Sequence, residues 1–499
     1  MLSVRVRTLL CCSIVLVISY FTYFHNYNDP SSTYFDEHYY VINAERYIHG
    51  MVFFEANPPL GKMFIALGEK LFNPNENVDI KKQLEQGYIF LDDINGFSYI
   101  GVRFFPALFG FLNGLLIFLI FYGLSKNNFL SLMFSSLYLF ENSSIVHFRG
   151  AMLDSTLVFF SFLTILYFIY LYEKKKEKTL MNYFVLGCLT GLAVFTKMVG
   201  FVLILLMLFL LFKELKKYKW DNSINKTKKL FKCSISYLLG LCVVCITVYY
   251  VQIALGSNIL DSNITDGKLK NSVSGASREY AKMIKNKEIY NPLKIFIPMR
   301  DYFRHIITVQ LALSKKDPYM INSNPLYWPI GIKNIGYGSD DTVEDNKRWY
   351  LNFQGNPVNW SFSLMAVLLS ICLIFAKNIF KAKVSNTRTY DYIFIFTSLY
   401  IGYMAAVVLI ATQRVLYIHM YLLPLFFSFI LFFLIFNYIF EKCIIKKDKI
   451  LYLSIFLLVA QIFYVYFYVS PVTYGESITY LECEKTKLIS FWEDNCIEY

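Results

Sequence analysis

Gly191-Leu192-Ala193-Val194-Phe195-Thr196-Lys197-Met198-Val199-Gly200-Phe201 lies inside an apolar run that extends from Met181 to Phe212. A single charge, Lys197, interrupts that run. An α-helix needs about 20 residues to cross the hydrocarbon core of a bilayer. The run is therefore too long for one crossing, and a break near Thr196-Lys197 divides it into two. Similar runs recur along the chain. Together they predict spans near 8–24, 102–124, 129–146, 152–172, 182–196, 198–212, 231–255, 359–376, 391–411, 415–436 and 450–470, about eleven in all.

The composition agrees. Of 499 residues, 56% are hydrophobic and 17% charged, and the mean hydropathy is +0.44. A soluble domain of this size would alternate polar and apolar faces instead. The fold class is an all-α, multi-span membrane protein embedded in a lipid bilayer. The net charge of +12 does not indicate nucleic acid, because the basic residues collect in short loops such as Glu173-Lys174-Lys175-Lys176-Glu177-Lys178, the pattern that orients membrane helices. Cys11, Cys12, Cys188, Cys242, Cys245 and Cys372 lie inside apolar runs, where they act as small hydrophobes. Cys242-x-x-Cys245 has no second CxxC or His partner, so a zinc site is not expected. No metal or cofactor is indicated; a divalent ion is compatible with the sequence but has no motif in its favour.

Lys126, the Lys174–Lys178 cluster, the Lys213–Lys232 segment, Lys377–Arg388 and Lys442–Lys449 alternate onto one side, and with Arg5 and Arg7 at the start that side is the cytoplasm. The first apolar run, Leu9–Tyr23, is not followed by a small-x-small cleavage site and is expected to stay as a span. The chain then divides into residues 1–255, an N-terminal transmembrane catalytic module with an outer loop at 25–101; 256–358, an outer loop; 359–470, a four-helix transmembrane module; and 471–499, an outer tail. Cys483 and Cys496 in that tail are placed where a disulfide can form. Asn263-Ile264-Thr265 reads as a glycosylation sequon on the same side. The loop 25–101 carries two expected amphipathic helices on the outer leaflet. Val41, Ala44 and Ile48 share a face of the first, which Gly50 ends. Pro58-Pro59 opens the second, with Leu60, Phe64, Leu67 and Leu71 along one side.

Asp36-Glu37, just past the first span, is the candidate catalytic pair. One carboxylate can take a proton from an attacking hydroxyl while the other holds the site together. The plainer reading is a pair of helix N-terminal charges favoured by the dipole, and local sequence alone favours it. Lys62, Arg103, Lys197 and Arg414 are expected at the outer ends of helices, where cations can clamp a lipid-linked phosphate. Lys62 and Arg414 are also open to a snorkelling role. Lys197 is not dismissed so easily, since an ionisable residue in an apolar run points to function. Arg149 and Asp154, in Arg149-Gly150-Ala151-Met152-Leu153-Asp154, are read as structural, with Asp154 pairing to a basic residue of another helix. His419 either donates a hydrogen bond to a phosphate or is a buried neutral histidine.

The ordered set of motifs resembles the protein O-mannosyltransferase family, whose members have the multi-span GT-C glycosyltransferase fold. The matching residues are Asp36-Glu37, Pro58-Pro59-Leu60-Gly61-Lys62, Gly101-Val102-Arg103-Phe104-Phe105-Pro106-Ala107, Arg149 with Leu153-Asp154-Ser155, Gly191-Leu192-Ala193 with Thr196-Lys197-Met198-Val199-Gly200, Gly355-Asn356-Pro357-Val358 and Tyr417-Ile418-His419-Met420-Tyr421. They occur in the family's order across most of the chain. The resemblance implies transfer of a sugar, typically mannose, from a polyprenyl-phosphate carrier to Ser or Thr hydroxyls of proteins on the outer or lumenal face, with inversion. It implies Asp36 as general base and Glu37 as its support. Arg103 and Lys197 would hold the carrier phosphate, with His419, Arg414 and Lys62 contributing. Arg149, Asp154, Pro58, Pro59 and Asn356 would be structural or supporting. Three departures stand out: the outer loop is too short for the β-trefoil repeats of eukaryotic members, Asn57 replaces the usual His before Pro-Pro, and Met198 replaces a Trp. The first suggests a prokaryotic form in the cell membrane rather than the endoplasmic reticulum. The other two bear on donor sugar and acceptor preference.

Two other functions fit less well. A transferase of the same fold acting on lipid A or another glycolipid shares the acidic motif and Pro-Pro-Leu, but Pro59-Leu60-Gly61-Lys62 and Gly355-Asn356-Pro357-Val358 favour a protein acceptor. A transporter or flippase would show repeated halves and polar groups at mid-bilayer, and neither is visible.

Overall fold

A computed structural model describes residues 3–80, 84, 96–216, 223–257, 264–265, 268–269, 276–312, 323–332, 334–339, 346–489, 492 and 496. The sequon's Asn263 lies outside them. Among the described residues, nine helices are long and apolar enough to cross a membrane: Val4–Phe24, Ile100–Ser125, Asp154–Glu173, Met198–Lys216, Thr227–Leu255, Pro357–Asn378, Thr387–Ala411, Ile418–Ile439 and Lys449–Tyr474. The remaining two expected spans take other forms. Residues 129–146 form a pair, Asn128–Leu139 and Asn142–Arg149, bent by 64°. Residues 182–196 form the shorter helix Leu180–Val194. The predicted break at Thr196-Lys197 is present: one helix ends at Val194 and a 3₁₀ segment, Met198–Leu203, begins after Lys197.

The bend has a local cause. Glu141 is fully buried between the two halves, and a buried carboxylate must be surrounded by donors. Its oxygens accept from Asn356 N at 3.1 Å, Asn359 Nδ2 at 2.9 Å, Trp360 Nε1 at 3.0 Å and Ser143 Oγ at 2.7 Å. Asn356 caps helix Pro357–Asn378 through Val358 N and donates to Phe140 O and Ile462 O. The broken ladder and two further helices are thus joined at one polar knot inside the bundle.

Close helix approach depends on small residues. A Cβ on Gly187 would sit 2.0 Å from Tyr237 O, and one on Gly240 would sit 2.2 Å from Phe184 O. Helices Leu180–Val194 and Ser223–Leu255 pack backbone to backbone for that reason.

The segment after the first span holds the two expected non-spanning helices, Glu37–Ile48 and Leu60–Phe72. They differ in how they sit. Glu37–Ile48 is enclosed on nearly all sides: Tyr40, Ile42, Asn43, Glu45 and Arg46 are buried along with Val41 and Ala44. Leu60–Phe72 turns Leu67 and Leu71 outward and buries Gly61, Ile65 and Gly68. Only the end of its apolar stripe at Leu67 and Leu71 faces away from the protein, as suits contact with lipid, while Leu60 and Phe64 pack against the core. Strands Ile335–Ser339, Arg348–Phe353 and Ser477–Ile478 form an antiparallel sheet in that order. Just beyond it Cys483 and Cys496 are disulfide-bonded.

Candidate active site

Asp36 occupies the N-cap position of helix Glu37–Ile48, yet its carboxylate makes no cap hydrogen bond. The plainer reading of this residue therefore loses its support, and the acid remains half-buried without a structural task of that kind. Burial pushes its pKa up to about 6, while the charge of Lys197 pulls the other way. Phe35, one residue earlier, has a φ of 51°, a left-handed conformation that is costly for a bulky side chain. It is held there by the sheet. Phe35 N donates to Tyr337 O at 3.1 Å, and the two rings stack at 4.3 Å with an interplanar angle of 12°.

Glu37 is placed quite differently. It is fully buried, and Arg103 grips it with Nε on Oε1 at 2.7 Å and Nη2 on Oε2 at 2.7 Å. Ala151 N and Tyr34 N add further bonds to it. The remaining Arg103 donors reach Asn28 O, Pro30 O and Ser32 O, and the guanidinium lies over the Tyr34 and Tyr99 rings. Every donor of Arg103 is thus engaged within the loop that leads to Asp36. Arg149 works alongside it, with Nη1 on His25 O at 2.7 Å and Nη2 on Asn26 O at 2.6 Å.

Lys197 Nζ donates to Asp154 Oδ2 at 2.7 Å. The same oxygen lies 2.8 Å from His147 Nε2, and His147 Nδ1 lies 2.6 Å from Tyr337 Oη. The ring of His419 stacks on His147 at 5.1 Å and meets Phe35 edge-on at 5.2 Å. His419 Nδ1 is buried without a partner among the described residues. Lys62 is buried and pairs with Glu55, and it also donates to Asn57 O at 2.8 Å. Pro59 is the N-cap of Leu60–Phe72, and Leu60 N donates to Phe195 O, which fixes that helix against the end of Leu180–Val194.

A groove of about 770 Å³ opens beside this cluster. Lys197, Asp154, Asn57 and Arg414 supply its polar lining; the rest is mostly apolar, with Phe201, Ile410 and Met420 among its walls. Among the described residues, the Arg414 side chain makes a long bond of 3.3 Å to Val415 O. Apart from Lys62, Pro58, Pro59 and Asn356, the expected residues fall into three groups. Asp36, Lys197, Asp154 and His419 meet around Phe35 and Tyr337. Lys197 and Arg414 edge the groove. Glu37, Arg103 and Arg149 form the frame beneath the loop, while Asn356 sits apart at the bend. Sequence reasoning missed His147, Tyr337, Glu55 and Glu141. Glu141 carried a usable signal, since it is an ionisable residue within the otherwise apolar span 129–146, and His147 lies one residue past its end.

The fold matches that of a known class of membrane protein. The chain superposes on a solved chain of the Saccharomyces cerevisiae protein O-mannosyltransferase Pmt1-Pmt2 complex bound to the sugar donor with a TM-score of 0.79, covering 99% of this chain and 94% of that one at 15% identity. Residues 13–260 match the sequence model described as dolichyl-phosphate-mannose-protein mannosyltransferase, and residues 301–492 match that of the C-terminal four-transmembrane region of protein-O-mannosyltransferase. The chain belongs to the protein O-mannosyltransferase family. It is 32% identical over 152 residues to dolichyl-phosphate-mannose–protein mannosyltransferase 4 of Schizosaccharomyces pombe, covering 29% of this chain and 18% of that protein. It is 26% identical over 351 residues to protein O-mannosyl-transferase 1 of Danio rerio, covering 68% of this chain and 45% of that protein. The chain thus spans less than half the length of these curated relatives.

Proposed function

We propose that this protein transfers mannose from a polyprenyl-phosphate carrier to Ser or Thr hydroxyls of proteins at the non-cytoplasmic face of the cell membrane, with Asp36 as general base. The observation that carries this reading is the placement of Asp36: a half-buried carboxylate, free of helix capping, held by a strained residue beside a cation that edges an apolar groove. The groove suits a polyprenyl tail, with the phosphate at its polar end.

The chemistry balances simply. The acceptor hydroxyl gives its proton to the Asp36 carboxylate as its oxygen bonds to C1 of the sugar. The bond from C1 to the phosphate oxygen breaks on the opposite face, and the electron pair leaves with the phosphate. A phosphate leaving group needs positive charge more than a proton, and Lys197 and Arg414 are placed to supply it. Arg103 and Glu37 serve as the frame that fixes the loop; for Arg103 this stands in place of the phosphate role that the family resemblance implies, and for Glu37 it is a form of the supporting role. A carboxylate with a pKa near 6 is a competent base around neutral pH.

The test supplies purified protein with polyprenyl-phosphate mannose and, in separate reactions, a Ser/Thr-rich peptide and a glycolipid acceptor. Mannose on the peptide supports the proposal. Mannose on the glycolipid alone, or on neither, rejects it.

A further inference from the structure

We propose that His147 is a positioning residue that ties the donor-side cation Lys197 to the strained Phe35-Asp36 turn through Tyr337. The proposal rests on the reading of Asp36 as the base.

The links are continuous. Lys197 Nζ and His147 Nε2 share Asp154 Oδ2, at 2.7 and 2.8 Å. An ionised carboxylate only accepts, so His147 Nε2 carries a proton toward Asp154. In the neutral ring that leaves Nδ1 as acceptor, and Tyr337 Oη, 2.6 Å away, donates to it. Tyr337 then acts on Phe35 twice, through its carbonyl and through its ring. Phe35 cannot hold a φ of 51° unless its surroundings fix it, and Asp36 follows directly. Without the His147 bond the Tyr337 ring could still stack, but its tilt would no longer be set from the Lys197 side.

The arrangement connects three separate parts of the chain. His147 belongs to the bent pair, Lys197 to the gap after Leu180–Val194, and Tyr337 to strand Ile335–Ser339. Donor phosphate arriving at Lys197 would draw the ammonium from Asp154 and strengthen the carboxylate's hold on His147. The base turn is therefore set most firmly when donor is bound.

Tyr337→Phe removes one hydroxyl and keeps both the ring stack and the backbone bond. His147→Phe removes both hydrogen bonds and keeps a ring against His419. Both variants and the double variant are assayed as full-length protein for kcat, donor KM and melting temperature. Tyr337→Phe should lower kcat about five- to tenfold, the worth of one buried hydrogen bond, with donor KM within about twofold of the parent. His147→Phe should lower kcat and also raise donor KM, because Lys197 loses an anchored partner. The double variant should match His147→Phe in kcat, because the second change breaks a bond already lost. Parental kcat in Tyr337→Phe, or kcat losses that multiply in the double variant, would overturn the proposal. A lower melting temperature with unchanged kcat per folded molecule would reduce both residues to structural roles and overturn it as well. If Asp36→Asn is inactive while Tyr337→Phe is fully active, only this inference fails. If Asp36→Asn is fully active, the base assignment fails first.

Discussion

Arg103 and Glu37 form a fully buried two-pronged ion pair, Nε to Oε1 and Nη2 to Oε2 both at 2.7 Å. Asp36, next to Glu37 in sequence, takes no part in it. Two adjacent acids are thus divided between tasks: one is fixed in the frame and the other is left open at its edge. Breaking a buried pair leaves one charge without its partner, at a cost of about 3–5 kcal/mol. Arg103→Ala and Glu37→Ala should each lower the melting temperature of the detergent-purified protein sharply. Arg103→Ala protein that melts like the parent but binds donor poorly would return Arg103 to the phosphate.

Lys197 should behave in the opposite way. Lys197→Met removes the cation at the polar end of the groove and should lower kcat/KM for donor by about 100-fold or more, the scale of one lost electrostatic contact to a transition state. Lys197→Arg should recover part of the loss, since the charge remains but its shape changes. Steady-state kinetics with varied donor concentration checks both.

The pH dependence of transfer follows from Asp36. Its carboxyl accepts a proton only when ionised, and burial raises its pKa to about 6. The rate should rise with pH through about 6 and level off above. Lys197 opposes that rise in pKa, so Lys197→Met should move the midpoint upward in a pH–kcat profile.

Stability has a separate pH dependence, located in the helices that precede the second span. Burial raises Glu69 to about 7, and burial together with Glu69 raises Glu45 to about 8. Both folded-state values lie above the ordinary carboxylate range, so the fold favours the protonated forms. Their contribution is fully present below the unfolded pKa of about 4.3. It is lost as pH rises through 7 and then 8. Melting temperature should fall across that window, and Glu45→Gln should flatten the upper part of the curve.

Much of the architecture was legible because the bilayer demands long apolar runs, and each of the eleven expected runs has a helical counterpart. The rule that marked Lys197, a charge within an apolar run, was sound; applied to residues 129–146 it would also have marked Glu141, with His147 one residue past the end of that span. The pairing of Glu37 with Arg103 was not legible. The partners stand 66 residues apart, and each also fitted a role facing substrate. Tyr337 was hidden for another reason: with 40 tyrosines in the chain, no single one is diagnostic until the sheet lays it on Phe35. The helix Glu37–Ile48 was expected at a membrane surface because its period showed one apolar face. Tertiary packing covers its polar side too.

Asp36→Asn is the most direct measurement, because it replaces the one carboxylate oxygen needed for proton transfer and leaves the shape of the turn. Purified parent and variant, matched in melting temperature, are compared for mannose transfer from polyprenyl-phosphate mannose to a Ser/Thr peptide. The account predicts intact folded protein with transfer reduced to background; transfer at the parental rate would contradict it.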